Sequence, residues 1–180
     1  MRIRSVAAAL VATMVVVVAA EPAAAVETAL GRCYVEDTPQ LADPTGWSAP
    51  GNVHTAWAAP AGLESGDALR VTAYGSVRID YWGTNKSIAG EPPAAGAGWP
   101  APDAPRYALI AKVTQGSMWV RATRRSYGPH SWFPIGADSG CMLYSSAGPG
   151  AQLVFSFNDP NLGDNGGGAT VRVRQWWGLL

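Results

Sequence analysis

The sequence has 180 residues, with thirteen Lys and Arg against thirteen Asp and Glu, and so no formal net charge. That balance argues against a nucleic-acid partner, which would need a basic face or stripe. Twenty-one Gly and fourteen Pro, interspersed among aromatic and β-branched stretches, exclude a helical bundle and point to an all-β protein with many turns.

Residues 1–25 read as a signal peptide and predict a secreted protein, the alternative being an uncleaved N-terminal anchor. Met1-Arg2-Ile3-Arg4 is a basic start, Val6 to Ala20 is an unbroken apolar run, and Ala23-Ala24-Ala25 offers small residues for cleavage. The run is shorter than the roughly 20 residues of a membrane span, and no basic stop-transfer patch follows it, so no span is expected in the mature chain. Removing residues 1–25 takes away Arg2, Arg4 and Glu21, leaving eleven basic residues against twelve acidic ones. The remainder has the length of one domain: residues 26–51 as an N-terminal extension packed on it, and residues 52–180 as the β-sandwich proper. The only two cysteines, Cys33 and Cys141, favour one disulfide in an exported chain, the alternative being two buried free thiols.

Strand signals then recur in chain order. Residues 26–48 precede the regular pattern and are expected to wrap a sheet edge. Val53 to Trp57 alternates with Val53, Thr55 and Trp57 on one face. Ala68 to Ala73 puts Leu69, Val71 and Ala73 inward, and Gly75 predicts a bulge or kink before Ser76 to Tyr81 continues. Residues 83–106 carry Gly and Pro at close intervals without strand periodicity, and long loops of this kind are usually functional. Tyr107 to Val113 and Ser117 to Thr123 are strands, Trp132 to Ile135 is a short apolar piece, and Met142 to Ser145 reads as an edge piece. Gln152 to Phe157 and Thr170 to Arg174 read as a hairpin around a long polar loop. No stretch beyond the signal holds a 3.6-residue period for three turns. Seven to nine strands without crossover helices predict an antiparallel two-sheet, jelly-roll-like sandwich.

The loop between the last two strands carries the chemistry. Asp159, Asn161, Asp164 and Asn165 place four oxygen-bearing side chains within seven residues, and Gly163 and Gly166 to Gly168 free the backbone to turn its carbonyls inward. Calcium takes six to eight such hard oxygens. The same residue types also make ordinary hairpin loops.

Phe157-Asn158-Asp159, followed by Gly163-Asp164-Asn165-Gly166-Gly167 and the strand Ala169 to Val173, resembles the calcium loop of the bacterial PA-I galactophilic lectin family. Trp57, Gly62, Gly66-Asp67, Leu69 to Gly75, Tyr107 to Ile110 and Phe133 to Gly136 occur there in a similar order. The resemblance implies a jelly-roll-like sandwich in which calcium coordinates sugar hydroxyls directly. It assigns the metal to Asp159, Asp164 and Asn165, with backbone carbonyls from near Leu162 and from the strand end at Ile79 to Tyr81. It also places Asp159, Pro160 and Asp164 against the carbohydrate. The His and Gln that touch the sugar in that family have no convincing counterparts between Gly83 and Arg106, so calcium carries over better than galactose.

Eight tryptophans are many for this length. Trp82 and Trp99 flank or lie in the long irregular segment, where either would serve as a flat sugar platform or as packing. Trp57, Trp119 and Trp132 fall in strand patterns and read as core, and Trp176-Trp177 as a sheet cap. Gly136 to Cys141 has the look of a serine-protease nucleophile segment, but the chain is too short for that fold and no matching stretch surrounds His54. His54 and His130 lack a third zinc ligand at a recognisable spacing. Arg121, Arg124 and Arg125 form the one basic cluster and read as a solvated turn. The sequence therefore predicts a non-enzymatic, secreted, calcium-dependent carbohydrate-binding protein. The alternatives are an adhesive sandwich with a purely structural calcium and a small secreted hydrolase.

Overall fold

The computed structural model describes residues 28–42, 46–57, 62–146, 148 and 150–178; the expected signal peptide, residues 1–25, lies outside the described residues. The described residues begin with a six-residue helix, α1 (Ala29–Tyr34), whose Gly31 N–H donates to the capping Thr28 Oγ1 at 3.1 Å. Fourteen strands follow among the described residues. The first five are β1 (Leu41–Ala42), β2 (Trp47–Pro50), β3 (Thr55–Trp57), β4 (Ala68–Arg78) and β5 (Asn85–Ser87). The middle set is β6 (Glu91–Ala94), β7 (Pro105–Arg106), β8 (Leu109–Val113), β9 (Ser117–Val120) and β10 (Arg125–Tyr127). The last are β11 (Phe133–Pro134), β12 (Asp138–Ser145), β13 (Leu153–Phe157) and β14 (Gly166–Trp176).

All pairings are antiparallel. Sheet A runs β1-β14-β4-β12-β9-β10, with β2 also on β14 and β5 on β4; sheet B runs β11-β8-β13-β3; β6 and β7 form a separate ribbon. The inward residues of both sheets make one core. Leu69, Val71, Val120, Met142, Val171 and Val173 come from sheet A, and Leu109, Val113, Leu153, Phe155 and Phe157 from sheet B. This is the all-β, two-sheet sandwich that the alternating pattern predicts.

Several elements differ from the sequence expectation. β13 and β14 are not a hairpin: β13 pairs with β3 and β8 in sheet B, whereas β14 pairs with β4, β1 and β2 in sheet A. A period of two reports which face is buried and is silent about which strand lies alongside. Residues 158–165 therefore cross from one sheet to the other. Gly75 does not interrupt β4, which runs unbroken for eleven residues. Its φ of +132° lets it pass so close to the Gly168 carbonyl that a Cβ would collide with it. The expected edge piece Met142 to Ser145 belongs to β12, an eight-residue strand between β4 and β9 with a register shift at Ser139 and Gly140. The segment expected to be irregular, 83–106, contains β5, β6 and β7, whose Pro and charged residues hide the pairing from any hydrophobic pattern.

The N-terminal segment adds β1 and β2 to the edge of sheet A, so residues 47–50 pair directly with residues 168–171 of β14. Cys33 of α1 and Cys141 of β12 form a disulfide, buried with Ala29, Ala68 and Trp176 in a second small cluster. A third cluster, Ala101, Ala104 and Ile110 with Trp132 against it, covers the outer side of sheet B.

Candidate functional site

The sheet-crossing loop sits at one rim of the sandwich. Phe157 ends β13 in the core, Asn158 and Asp159 remain buried behind it, and Pro160 and Asn161 are exposed. A single 3-10 turn, Leu162–Asp164, then returns the chain to Asn165, which is buried at the start of β14. Leu162 is half-buried against the core, and its carbonyl accepts the Asn165 N–H at 3.2 Å. The Asn165 side chain faces inward, its Nδ2 donating to the Gly51 carbonyl at 3.3 Å.

Three side chains of this loop converge. Asn161 joins two of them, its N–H donating to Asp159 Oδ1 at 2.9 Å and its Nδ2 to Asp164 Oδ2 at 2.8 Å. Burial pushes the Asp159 carboxyl above its ordinary range, and the charge of Asp164 adds to the rise, against the opposing pull of the Asn161 N–H and the Asn165 side chain. Two oxygens, Asp164 Oδ1 and Asn165 Oδ1, are buried with no hydrogen-bond partner. A buried oxygen without a donor costs about 1–3 kcal/mol. Two carboxylates, an amide oxygen and nearby carbonyls are donors that suit a hard divalent cation, and the two orphaned oxygens are where such an ion would compensate the burial. Among the described residues no group of three or more His, Cys, Asp and Glu gathers at one point, so the donor set relies on amide and carbonyl oxygens beside its two acids.

The other sequence-derived site residues lie as follows. β4 ends at Arg78, opposite Gly166, and Ile79 follows it with its N–H on the Thr84 carbonyl. Tyr81 and Trp82 stand beyond, on a turn braced by Asp80, whose Oδ1 accepts the Thr84 N–H at 2.9 Å. The Thr84 side chain, and after it the Thr84 N–H, hold the Asp80 carboxyl below its ordinary value by hydrogen bonding. Tyr81 is 85% and Trp82 89% exposed, the two rings meeting edge-on at 6.1 Å. Trp99 is half-buried and packs edge-on against Tyr107 at 5.3 Å.

Asn158 is the residue whose role the sequence did not reveal. Its Oδ1 accepts the Ala101 N–H at 2.9 Å, and its Nδ2 faces the carbonyls of Ala101, Ala104 and Pro105 at 2.9, 3.2 and 3.0 Å. Its own backbone pairs with Tyr107 and Ala108. One fully buried amide thus fastens the Trp99-bearing loop to the strand end that carries Asp159. Its place in Asn158-Asp159 signals a turn, and nothing local names a partner more than fifty residues away.

Hydrolytic arrangements do not assemble around the protease-like segment. Ser139 is buried in β12, its hydroxyl donating to the Gly140 carbonyl and accepting from the Val71 N–H. His54 lies on sheet B, its Nδ1 2.9 Å from Ser156 Oγ and its ring against Trp132 at 5.2 Å. Burial and then the charge of Lys112 lower the His54 pKa from its ordinary 6.5, which disfavours the imidazolium a triad must stabilise. His130 is exposed, with positive φ, in a turn.

The described fold and loop define an antiparallel β-sandwich with an oxygen-lined rim between its sheets. No protein-family model matches the chain, and no curated protein matches it. Among solved structures it is similar to the N-terminal domain of EclA, described as a PllA-like lectin. The identity is 20%, the coverage 72% of this chain and 95% of that one, and the TM-score 0.41.

Proposed function

We infer that the protein is a secreted, non-enzymatic carbohydrate-binding module whose rim loop holds calcium. The observation that carries the reading is the pair of buried, unpartnered oxygens, Asp164 Oδ1 and Asn165 Oδ1, beside the desolvated Asp159 carboxyl. Asp159, Asp164 and Asn165 would hold the ion, with main-chain oxygens near Leu162 completing the protein's share. When bound, calcium supplies a hard electrophilic point at which two vicinal hydroxyls of a sugar replace water. The chain's own residues do the rest. Asn161 orients both carboxylates, exposed Pro160 borders the loop, and Asn158 sets the position of the Trp99 loop. Trp99 and the exposed Tyr81-Trp82 tip offer flat apolar surfaces for the faces of pyranose rings. Export accords with the apolar N-terminal run and with the disulfide. Among the described residues no helix is long and apolar enough to cross a membrane.

The test is a thermal melt with calcium and then with chelator, followed by a glycan array under both conditions. Calcium at one hundred times its dissociation constant stabilises by about 2.7 kcal/mol. Asp159→Asn removes both the calcium shift and glycan binding. Absence of any calcium shift overturns the metal site. A shift without glycan binding assigns the ion to stiffening the inter-sheet loop, and turnover of a glycoside or ester makes the protein an enzyme.

A further inference from the structure

Charge is balanced over the whole chain, yet tertiary structure gathers arginines on one face away from the rim loop. β4 and β14 pair with Arg70 opposite Arg174 and Thr72 opposite Arg172, so three arginines share the outer face of sheet A. Arg172 and Arg174, two residues apart on one strand, are spaced by about 7 Å. The register shift in β12 brings Asp138 to the same face, where its carboxylate accepts from Arg70 Nε at 3.0 Å and Nη2 at 2.6 Å. Glu36 accepts from Arg70 Nη1. Asp138 also lines an open cleft of about 540 Å³ with Arg121, Arg124, Ser139 and Gly140 at the edge of the array. Arg125, by contrast, turns away to Asp103.

Arg70 is the one member of this array in direct contact with carboxylates. Among the described residues, Arg121, Arg124, Arg172 and Arg174 have no carboxylate within 4 Å. Three of them lie over rings instead: Arg121 over Tyr34 at 4.4 Å, Arg172 over Tyr74 at 5.7 Å and Arg174 over Trp176 at 5.7 Å. Arg70 with Glu36 and Asp138 carries one net negative charge, which Arg174 balances across the strand pair, whereas Arg121, Arg124 and Arg172 have no carboxylate within 4 Å to answer theirs. Anion recognition accounts for those three, because an unpaired guanidinium fork binds carboxylate or sulfate through two parallel hydrogen bonds. The rings of Tyr34 and Tyr74, 40% and 56% exposed, add flat apolar surface beside those forks. Setting these five arginines with Glu36 and Asp138 aside leaves six basic against ten acidic residues in the rest of 26–180, a surplus that repels a densely charged duplex.

We propose that this face binds an acidic polysaccharide, with Arg121, Arg124 and Arg172 holding its carboxylate or sulfate groups. The site is separate from the rim loop and needs no calcium. The test measures binding to immobilised heparin and polygalacturonate in chelator, from about 50 to 300 mM salt. Binding to at least one at low salt, weakening steeply as salt rises, is the expected result. Arg172→Ser, and separately Arg121→Ser with Arg124→Gly, each weaken it about tenfold at unchanged melting temperature, whereas Arg78→Ser with Arg106→Ser leaves it unchanged. The proposal is overturned by absence of binding at low salt, by equal weakening in the Arg78 and Arg106 variant, or by a preference for duplex DNA or anionic lipid vesicles over both polysaccharides. Dependence on calcium would move the ligand to the rim loop and overturn it as well. Failure of the calcium melt leaves this test unaffected, because it is run without the metal.

Discussion

Replacing Asn158 by Ala tests whether a single buried amide joins the long loop to the rim. The side chain is fully buried, and its two Nδ2 hydrogens serve three carbonyls while Oδ1 accepts a fourth contact. Three hydrogens are therefore engaged, one on Ala101 N and two on Nδ2. At a net 0.5–1.5 kcal/mol each, with some buried main-chain groups left unpartnered, the expected loss is about 3–4 kcal/mol. For a domain of this length that lowers the melting temperature by on the order of 10 °C. Asn158→Asp keeps shape and acceptor but turns a carboxylate toward three carbonyls, so its loss is at least as large. Urea denaturation in chelator measures the stability, and hydrogen exchange across residues 95–107 reports release of the loop. A loss below about 1 kcal/mol in Asn158→Ala, or exchange in the loop no faster than before, would refute the reasoning.

Cys33→Ser with Cys141→Ser opens a sequence separation of 108 residues, which the chain-entropy model values at about 4.7 kcal/mol; a drop in urea midpoint that reductant reproduces in the unaltered protein is the check. The lowered pKa of His54 means that the folded state favours the neutral ring. Its contribution is complete above the unfolded value near 6.5 and is lost as pH falls through the lower folded value, so the urea midpoint declines on acidification across that window. His54→Gln flattens this part of the profile, and an identical decline in the variant would assign it to other groups. Asp138, held below its ordinary carboxylate value chiefly by its hydrogen bonds to Arg70, acts at more acid pH. Its support is present above the unfolded value and lost as pH falls through the folded one, so Asp138→Asn is nearest to the unaltered protein at the acid end of a urea titration.

Particular residues mark how far local pattern reaches. Leu153, Phe155 and Phe157 alternate in the sequence and are buried in the structure, as are Val171 and Val173. The same pattern suggests that these two strands pair, and they lie in different sheets. The oxygen-rich run from Asp159 to Asn165 is legible as a polar loop because its side chains are contiguous in the chain. Asn158 was not, since its partners belong to residues 101–105. The arginine face was likewise hidden, because three of its members, Arg70, Arg172 and Arg174, alternate with inward residues on two separate strands and two, Arg121 and Arg124, lie in a turn.

Composition and alternation by themselves determined an all-β chain with a polar loop before its last strand and one pair of cysteines. Both signals depend only on neighbours along the chain: burial of every second side chain, and turn residues where the backbone must reverse. Tertiary structure alone decided that the loop spans two sheets, that Cys33 meets Cys141, and that Arg174 stands opposite Arg70. Those outcomes follow from which backbone ladders form once the core is packed, and a ladder hydrogen-bonds main-chain groups that are the same at every position, so side-chain order carries little record of the choice.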